Sequence, residues 1–188
     1  MAEFRPIRDS QVTLTELMIP AYANFGGKIH GGILLSLMDK VAYACAAKHA
    51  GGYCVTVSVE SVNFVAPVEV GELVSLMASV NYVGKSSMVI GIRVESEDVE
   101  TGIKRHTNTS YFTMVHKDSQ GKPKMVPGLL LETRDEVRRY LEAIKRQEIR
   151  SVYDMELDNA RTEIQVDHAK ALLEGRRCQI LPGIIPSA

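Results

Sequence analysis

The sequence predicts an α+β domain in which one apolar helix packs against an antiparallel sheet. Three observations carry this reading. Residues 31–50 are almost wholly apolar, with Leu34, Met38, Val41 and Cys45 recurring at helical spacing. Four strand-like segments rich in β-branched residues follow between residues 54 and 117. The turns between the later segments are too short for crossover helices, so those strands are antiparallel neighbours.

In chain order, residues 11–19 predict a first strand on Val12, Leu14 and Leu17. Residues 20–30 hold Pro20, Asn24, Gly26, Gly27 and His30, which is loop chemistry. The helix begins at Gly31, is sustained by Ala42, Ala44, Ala46 and Ala47, and stops at Gly51-Gly52. Its composition predicts burial on all sides. Strands are then expected over 54–65, bounded by Pro67, over 70–83, over 88–98 and over 104–117, laid out as a meander with a turn at Gly84-Lys85-Ser86-Ser87. Thr133 and Glu136 have capping-box spacing ahead of a helix to about Arg150. A second helix is expected over 159–174, ending at Gly175, with an irregular tail containing Pro182 and Pro186.

Charge sets the outer limits. The 188 residues carry 22 basic and 23 acidic side chains, a net charge of -1, which argues against nonspecific binding of nucleic acid or anionic membranes. Asp, Glu, Lys or Arg interrupts every apolar run well before it could span a bilayer. Residues 1–131 hold 24 charged side chains and the much shorter stretch 132–188 holds 21, which divides a folded domain, 1–131, from a C-terminal helical extension, 132–188. The N-terminus, with Glu3, Arg5, Arg8 and Asp9, lacks the apolar core of a signal peptide. Cys45, Cys54 and Cys178 form neither a disulfide framework nor a spaced metal motif, so a reducing cytoplasm is the expected compartment.

The densest polar feature is the run Asn24 to Gly32 leading into the helix. A helix start leaves backbone N–H groups without partners, and Gly31 and Gly32 allow a ligand oxygen close to them. That arrangement suits an oxyanion, although two glycines also make a plain tight turn. Asp39 stands in the apolar helix, where a carboxylate is costly unless hydrogen-bonded or facing a cavity. It reads either as a general base or as a local network residue. Asn24 offers a donor and an acceptor, or is a turn residue. His30 is a second candidate base or a loop anchor, and no metal ligand set surrounds it. Gly84, Lys85, Ser86 and Ser87 read either as a phosphate contact or as a solvated hairpin turn, and Lys104 and Arg105 form another small basic group at a strand start.

These residues resemble the hotdog-fold acyl-CoA thioesterases, in the cytosolic acyl-CoA hydrolase branch. The resemblance covers about residues 10–130. It rests on Asn24 through Gly32 running into Met38-Asp39, then on Ser61-Val62-Asn63-Phe64 with Pro67, Val70, Gly71 and Glu72. The segments Val83 to Met88 and Asn108 to Phe112 extend it. The resemblance implies a single domain whose curved antiparallel sheet wraps a long central helix, paired as a homodimer at minimum and assembled as a hexameric trimer of dimers. It implies hydrolysis of fatty acyl-CoA to free fatty acid and coenzyme A, with no cofactor beyond the coenzyme A of substrate and product. The catalytic Asp falls on Asp39 and the catalytic Asn on Asn24, facing each other across the dimer, with oxyanion donors around Gly31 and Gly32. His30 is secondary, and Gly84 to Ser87 with Lys104 and Arg105 lie toward the nucleotide end of coenzyme A. A hotdog dehydratase or hydratase, a non-catalytic acyl-CoA sensor and a structural assembly protein are the competing readings. A role for the C-terminal helices in assembly is a further hypothesis.

Overall fold

A computed structural model describes residues 3–166, 169–181 and 183–184. The elements are β1 (Phe4–Pro6), β2 (Val12–Leu17), α1 (Gly31–Ala50), β3 (Cys54–Val59), β4 (Leu73–Val83), β5 (Ser87–Glu97), β6 (Lys104–His116), β7 (Gly128–Leu130), α2 (Arg134–Glu163) and α3 (Ala169–Leu173). One compact unit covers residues 1–144 and a second covers 145–188. No helix among the described residues is long and apolar enough to cross a membrane.

In the first unit, five antiparallel strands lie in the order β2-β4-β5-β6-β3 and bend around α1. The alternation of β4, β5 and β6 sends Val74, Leu76, Val80, Met88, Ile90, Ile92, Val94, Phe112 and Met114 to the helix side. Helix α1 answers with Leu34, Leu37, Met38, Val41, Ala42 and Cys45, spaced one turn apart on one face. Each such buried aliphatic side chain contributes roughly 1.5–3 kcal/mol over an exposed one. The helix ends where Gly51 adopts φ 69° and donates its N–H to the Ala47 carbonyl.

Several expectations are corrected. β4, β5 and β6 form the meander, but β3 crosses to the far edge and pairs with β6, so 54–117 is not four sequential hairpins. The strand expected over 54–65 ends at Val59, and Glu60 and Val65 then hold the connector by donating N–H bonds to the Tyr111 and Thr107 carbonyls. Helix α1 is not buried on all sides: Leu35, Asp39, Lys40 and Tyr43 are exposed. The parallel pair β1–β7 was not anticipated.

The capping box at Thr133 and Glu136 closes in both directions, at 3.1 and 3.0 Å. The helix it starts does not stop near Arg150. It runs 30 residues to Glu163, and α3 is only five residues long in place of the helix expected over 159–174. In the first turns of α2, Tyr140 packs against Tyr82 with ring centroids 5.1 Å apart, and Ala143 is buried. Pro182 and Pro186, expected in an irregular tail, lie outside the described residues.

Candidate active site

The loop before α1 is built by Asn24. Its side-chain oxygen accepts the N–H of Gly26 at 2.8 Å and of Lys28 at 3.2 Å, while its backbone N–H donates to the Lys28 carbonyl at 2.7 Å. Gly27 supplies the left-handed conformation this turn demands, φ 77°. The turn uses the acceptor of Asn24 and leaves its NH2 group without a partner among the described residues.

His30 is the N-cap of α1. Its Nδ1 accepts the Gly32 N–H at 2.9 Å, so Nδ1 is unprotonated and any ring proton sits on Nε2. The two expected oxyanion donors are therefore unequal: the Gly32 amide is engaged by His30, and the Gly31 amide has no partner among the described residues. A side chain at Gly31 would meet the Phe64 ring at 3.4 Å, so the open amide sits beside an aromatic wall.

Asp39 lies eight residues into the helix, about 12 Å along its axis from Gly31. It is exposed in the single chain, on the stripe it shares with Leu35 and Tyr43 at one-turn intervals. One carboxylate oxygen accepts the Thr56 hydroxyl at 2.6 Å. The Met114 sulfur lies 3.2 Å from the same hydroxyl. Thr56 comes from edge strand β3, beside a bulge between Thr56 and Ser58. It was missed because a threonine in a strand is ordinary and nothing local marks it.

The cationic candidates separate. Gly84 to Ser87 turn between β4 and β5, closed by the Gly84 N–H on the Ser87 carbonyl at 2.8 Å, with Lys85 exposed. Lys104 and Arg105 sit at the opposite end of the β5–β6 ladder, ten strand steps or roughly 33 Å away. There Lys104 pairs with Glu97 and Arg105 with the buried Glu72.

A family model described as the thioesterase superfamily matches residues 26–103. Protein VdlD of Helicobacter pylori is 44% identical over 142 residues, covering 76% of this chain and 81% of that one. The fold matches an apo-hexameric acyl-CoA thioesterase with TM-score 0.79 and 36% identity, covering 81% of this chain and 97% of that one. It matches the Staphylococcus aureus acyl-CoA hydrolase, solved with butyryl coenzyme A, coenzyme A and coenzyme A disulfide, with TM-score 0.76 and 31% identity, over 85% of this chain and 97% of that one. The chain belongs to the hotdog-fold acyl-CoA thioesterases. The curved sheet around one long helix is that fold. The S. aureus hydrolase has also been solved as three alanine variants, one of an Asp, one of an Asn that precedes it in the chain and one of a Thr that follows it.

Proposed function

We propose that this thioesterase hydrolyses fatty acyl-CoA to free fatty acid and coenzyme A by Asp39-assisted attack of water, in a site completed by a second copy of the chain. The observation that carries the reading is Asp39, exposed on α1 and held through one oxygen by Thr56 at 2.6 Å. Its other oxygen is left to take a proton from water. Asn24, Asp39 and Thr56 repeat the order and the sequence intervals of the three residues replaced in the S. aureus hydrolase, which supports the same roles here.

Geometry supports the second copy. A general base must come within about 3 Å of its proton, whereas Asp39 stands about 12 Å from the Gly31 amide of its own chain. Leu35, Tyr43, Val57 and Val59 surround Asp39 and Thr56 with exposed apolar area along edge strand β3, a surface suited to a partner. The partner brings its Asn24 NH2 and Gly31 N–H to this Asp39. These two donors take the negative charge that develops on the thioester oxygen as water attacks. Collapse expels the coenzyme A thiolate, which needs no strong acid. Dimers of this kind assemble further as a hexamer, as in the apo-hexameric relative.

The test uses released thiol as its readout. Asp39→Asn is expected to lower kcat by about two to four orders of magnitude, and Asn24→Ala to impair turnover with the oligomer intact. Each variant alone is expected to be impaired, whereas co-expressing them rebuilds one intact site in each mixed dimer and is expected to recover up to about a quarter of parental activity after random pairing. Near-parental rates in both single variants would remove the mechanism, and no recovery on mixing would remove the shared site.

A further inference from the structure

Across the middle of the sheet the side facing α1 is hydrocarbon, at Val80, Ile90, Ile92, Val94 and Phe112. A sulfur interrupts it where it meets the candidate chemistry. Met114 on β6 is wholly buried and stands directly opposite Thr56 of β3 in the antiparallel register. Residues paired in this way share one face of the sheet, so both side chains turn toward α1. The Thr56 hydroxyl oxygen lies 2.6 Å from the Asp39 carboxylate and 3.2 Å from the Met114 sulfur. The core uses a thioether as an acceptor a second time: the Asn108 amide donates to the sulfur of Met38, the residue before Asp39, at 3.4 Å.

Thr56 has one hydroxyl proton and two acceptors within its reach. A carboxylate and a thioether can only accept, the first strongly and the second weakly. While Asp39 is charged, the proton lies on the Asp39 bond, and the sulfur meets only the hydroxyl oxygen. The balance changes once Asp39 has taken a proton from the attacking water. A neutral acid accepts a hydrogen bond with about half the strength of a carboxylate. It also has a proton of its own to give. The Thr56 oxygen accepts that proton only if its own hydrogen turns elsewhere, and the Met114 sulfur is the acceptor in place. A hydrocarbon at residue 114 would leave that hydrogen aimed at carbon, with its bond forfeited.

We propose that Met114 is a positioning residue for Asp39 that acts through Thr56. Its sulfur holds the Thr56 oxygen against the carboxylate while Asp39 is charged, and takes the Thr56 proton when Asp39 becomes a neutral acid. The hydroxyl then keeps a hydrogen bond in both protonation states of the base, which stabilises the state that follows water attack. No covalent bond to sulfur forms or breaks. The inference rests on the Asp39 reading above and adds to it a residue that is wholly buried and reaches the chemistry only through its strand neighbour.

Met114→Leu keeps the side-chain volume and removes the lone pairs. Its kcat for thiol release is expected to fall about three- to tenfold, with KM and melting temperature unchanged. In a Thr56→Val background the same substitution is expected to change kcat by less than about twofold, because no hydroxyl remains to be held. Met88 is the buried neighbour of Met114 on β5, and Met88→Leu is expected to keep the parental kcat. A second readout needs no hydrolysis. With isotopically labelled methionine methyl groups observed by NMR, Asp39→Asn, which puts a neutral group in place of the base, is expected to shift the Met114 resonance. In a Thr56→Val background it is expected to leave that resonance in place. Parental kcat in Met114→Leu, an equal loss in the Thr56→Val background, or a Met114 resonance indifferent to Asp39→Asn overturns the proposal. Near-parental hydrolysis in Asp39→Asn removes the catalytic reading instead, and the methyl shift then still decides whether Thr56 turns to sulfur.

Discussion

The Thr56→Val substitution isolates the contact on which the catalytic reading depends. Valine keeps the branched shape and strand preference of threonine and removes only the hydroxyl. The hydroxyl lies 2.6 Å from the Asp39 carboxylate, within the short range typical of O–H···O⁻ bonds. A hydrogen bond to a charged group contributes about 1.5–3 kcal/mol. If that energy holds Asp39 toward water, its loss lowers kcat by roughly 10- to 150-fold, since each 1.36 kcal/mol is a factor of ten. The assay is released thiol from short, medium and long acyl-CoAs, with a thermal melt to confirm the fold. The double variant is the sharper measurement. With Asp39→Asn already in place, Thr56→Val has no carboxylate to orient and should remove less than about threefold more. A Thr56→Val enzyme within twofold of the parent, or one that loses its full factor again without the carboxylate, refutes the reasoning.

Other outcomes test the surrounding structure. His30→Ala should destabilise the protein by about 1 kcal/mol in chemical denaturation, and His30→Asn should restore most of it, because asparagine also caps; equal losses in both would contradict the capping role. Burial pushes the Cys45 thiol up to about 12 and the Cys54 thiol up to about 11, while Cys178 is exposed. A thiol reagent at neutral pH should therefore find one reactive group per native chain and all three after unfolding. Burial lowers the affinity of His49 for a proton, a shift opposed by its contact with the Pro127 carbonyl. The unfolded chain then takes up that proton first, so stability is full above the ordinary histidine range and is lost as pH falls below it. Denaturation midpoints followed downward from neutral pH should show this slope, reduced in His49→Gln.

What was legible in the sequence was local. The α1 stripe at Leu34, Met38, Val41 and Cys45 and the strand alternation at Met88, Ile90, Ile92 and Val94 each state their own burial, and the structure repeats them. The Thr133–Glu136 cap was equally visible, because its two bonds join residues close in sequence. The placement of β3 was not legible, since its partner β6 lies far along the chain and leaves no mark on Cys54–Val59 alone. The length of α2 was misread for a related reason. Its distal half has a thin apolar side, and local ion pairs such as Arg150 with Asp154 and Arg161 with Asp158 support it instead. At the site, Asp39 stood out as a charge among oily neighbours. Its partner Thr56 did not, because only the third dimension brings β3 beside α1.

The bulge at Val57 has a further consequence. β3 leaves a row of backbone groups along the sheet edge, and Val57, at 61% exposure, sits there unpaired between Thr56 and Ser58. A straight, greasy margin of this sort is a template for runaway fibre growth while newly made chains await their mates. One supernumerary residue bends the margin and breaks its repeat, which opposes endless stacking. Excising Val57 would straighten it, leaving Thr56 opposite Met114 but stripping the newly synthesised chain of its guard against amyloid-like association.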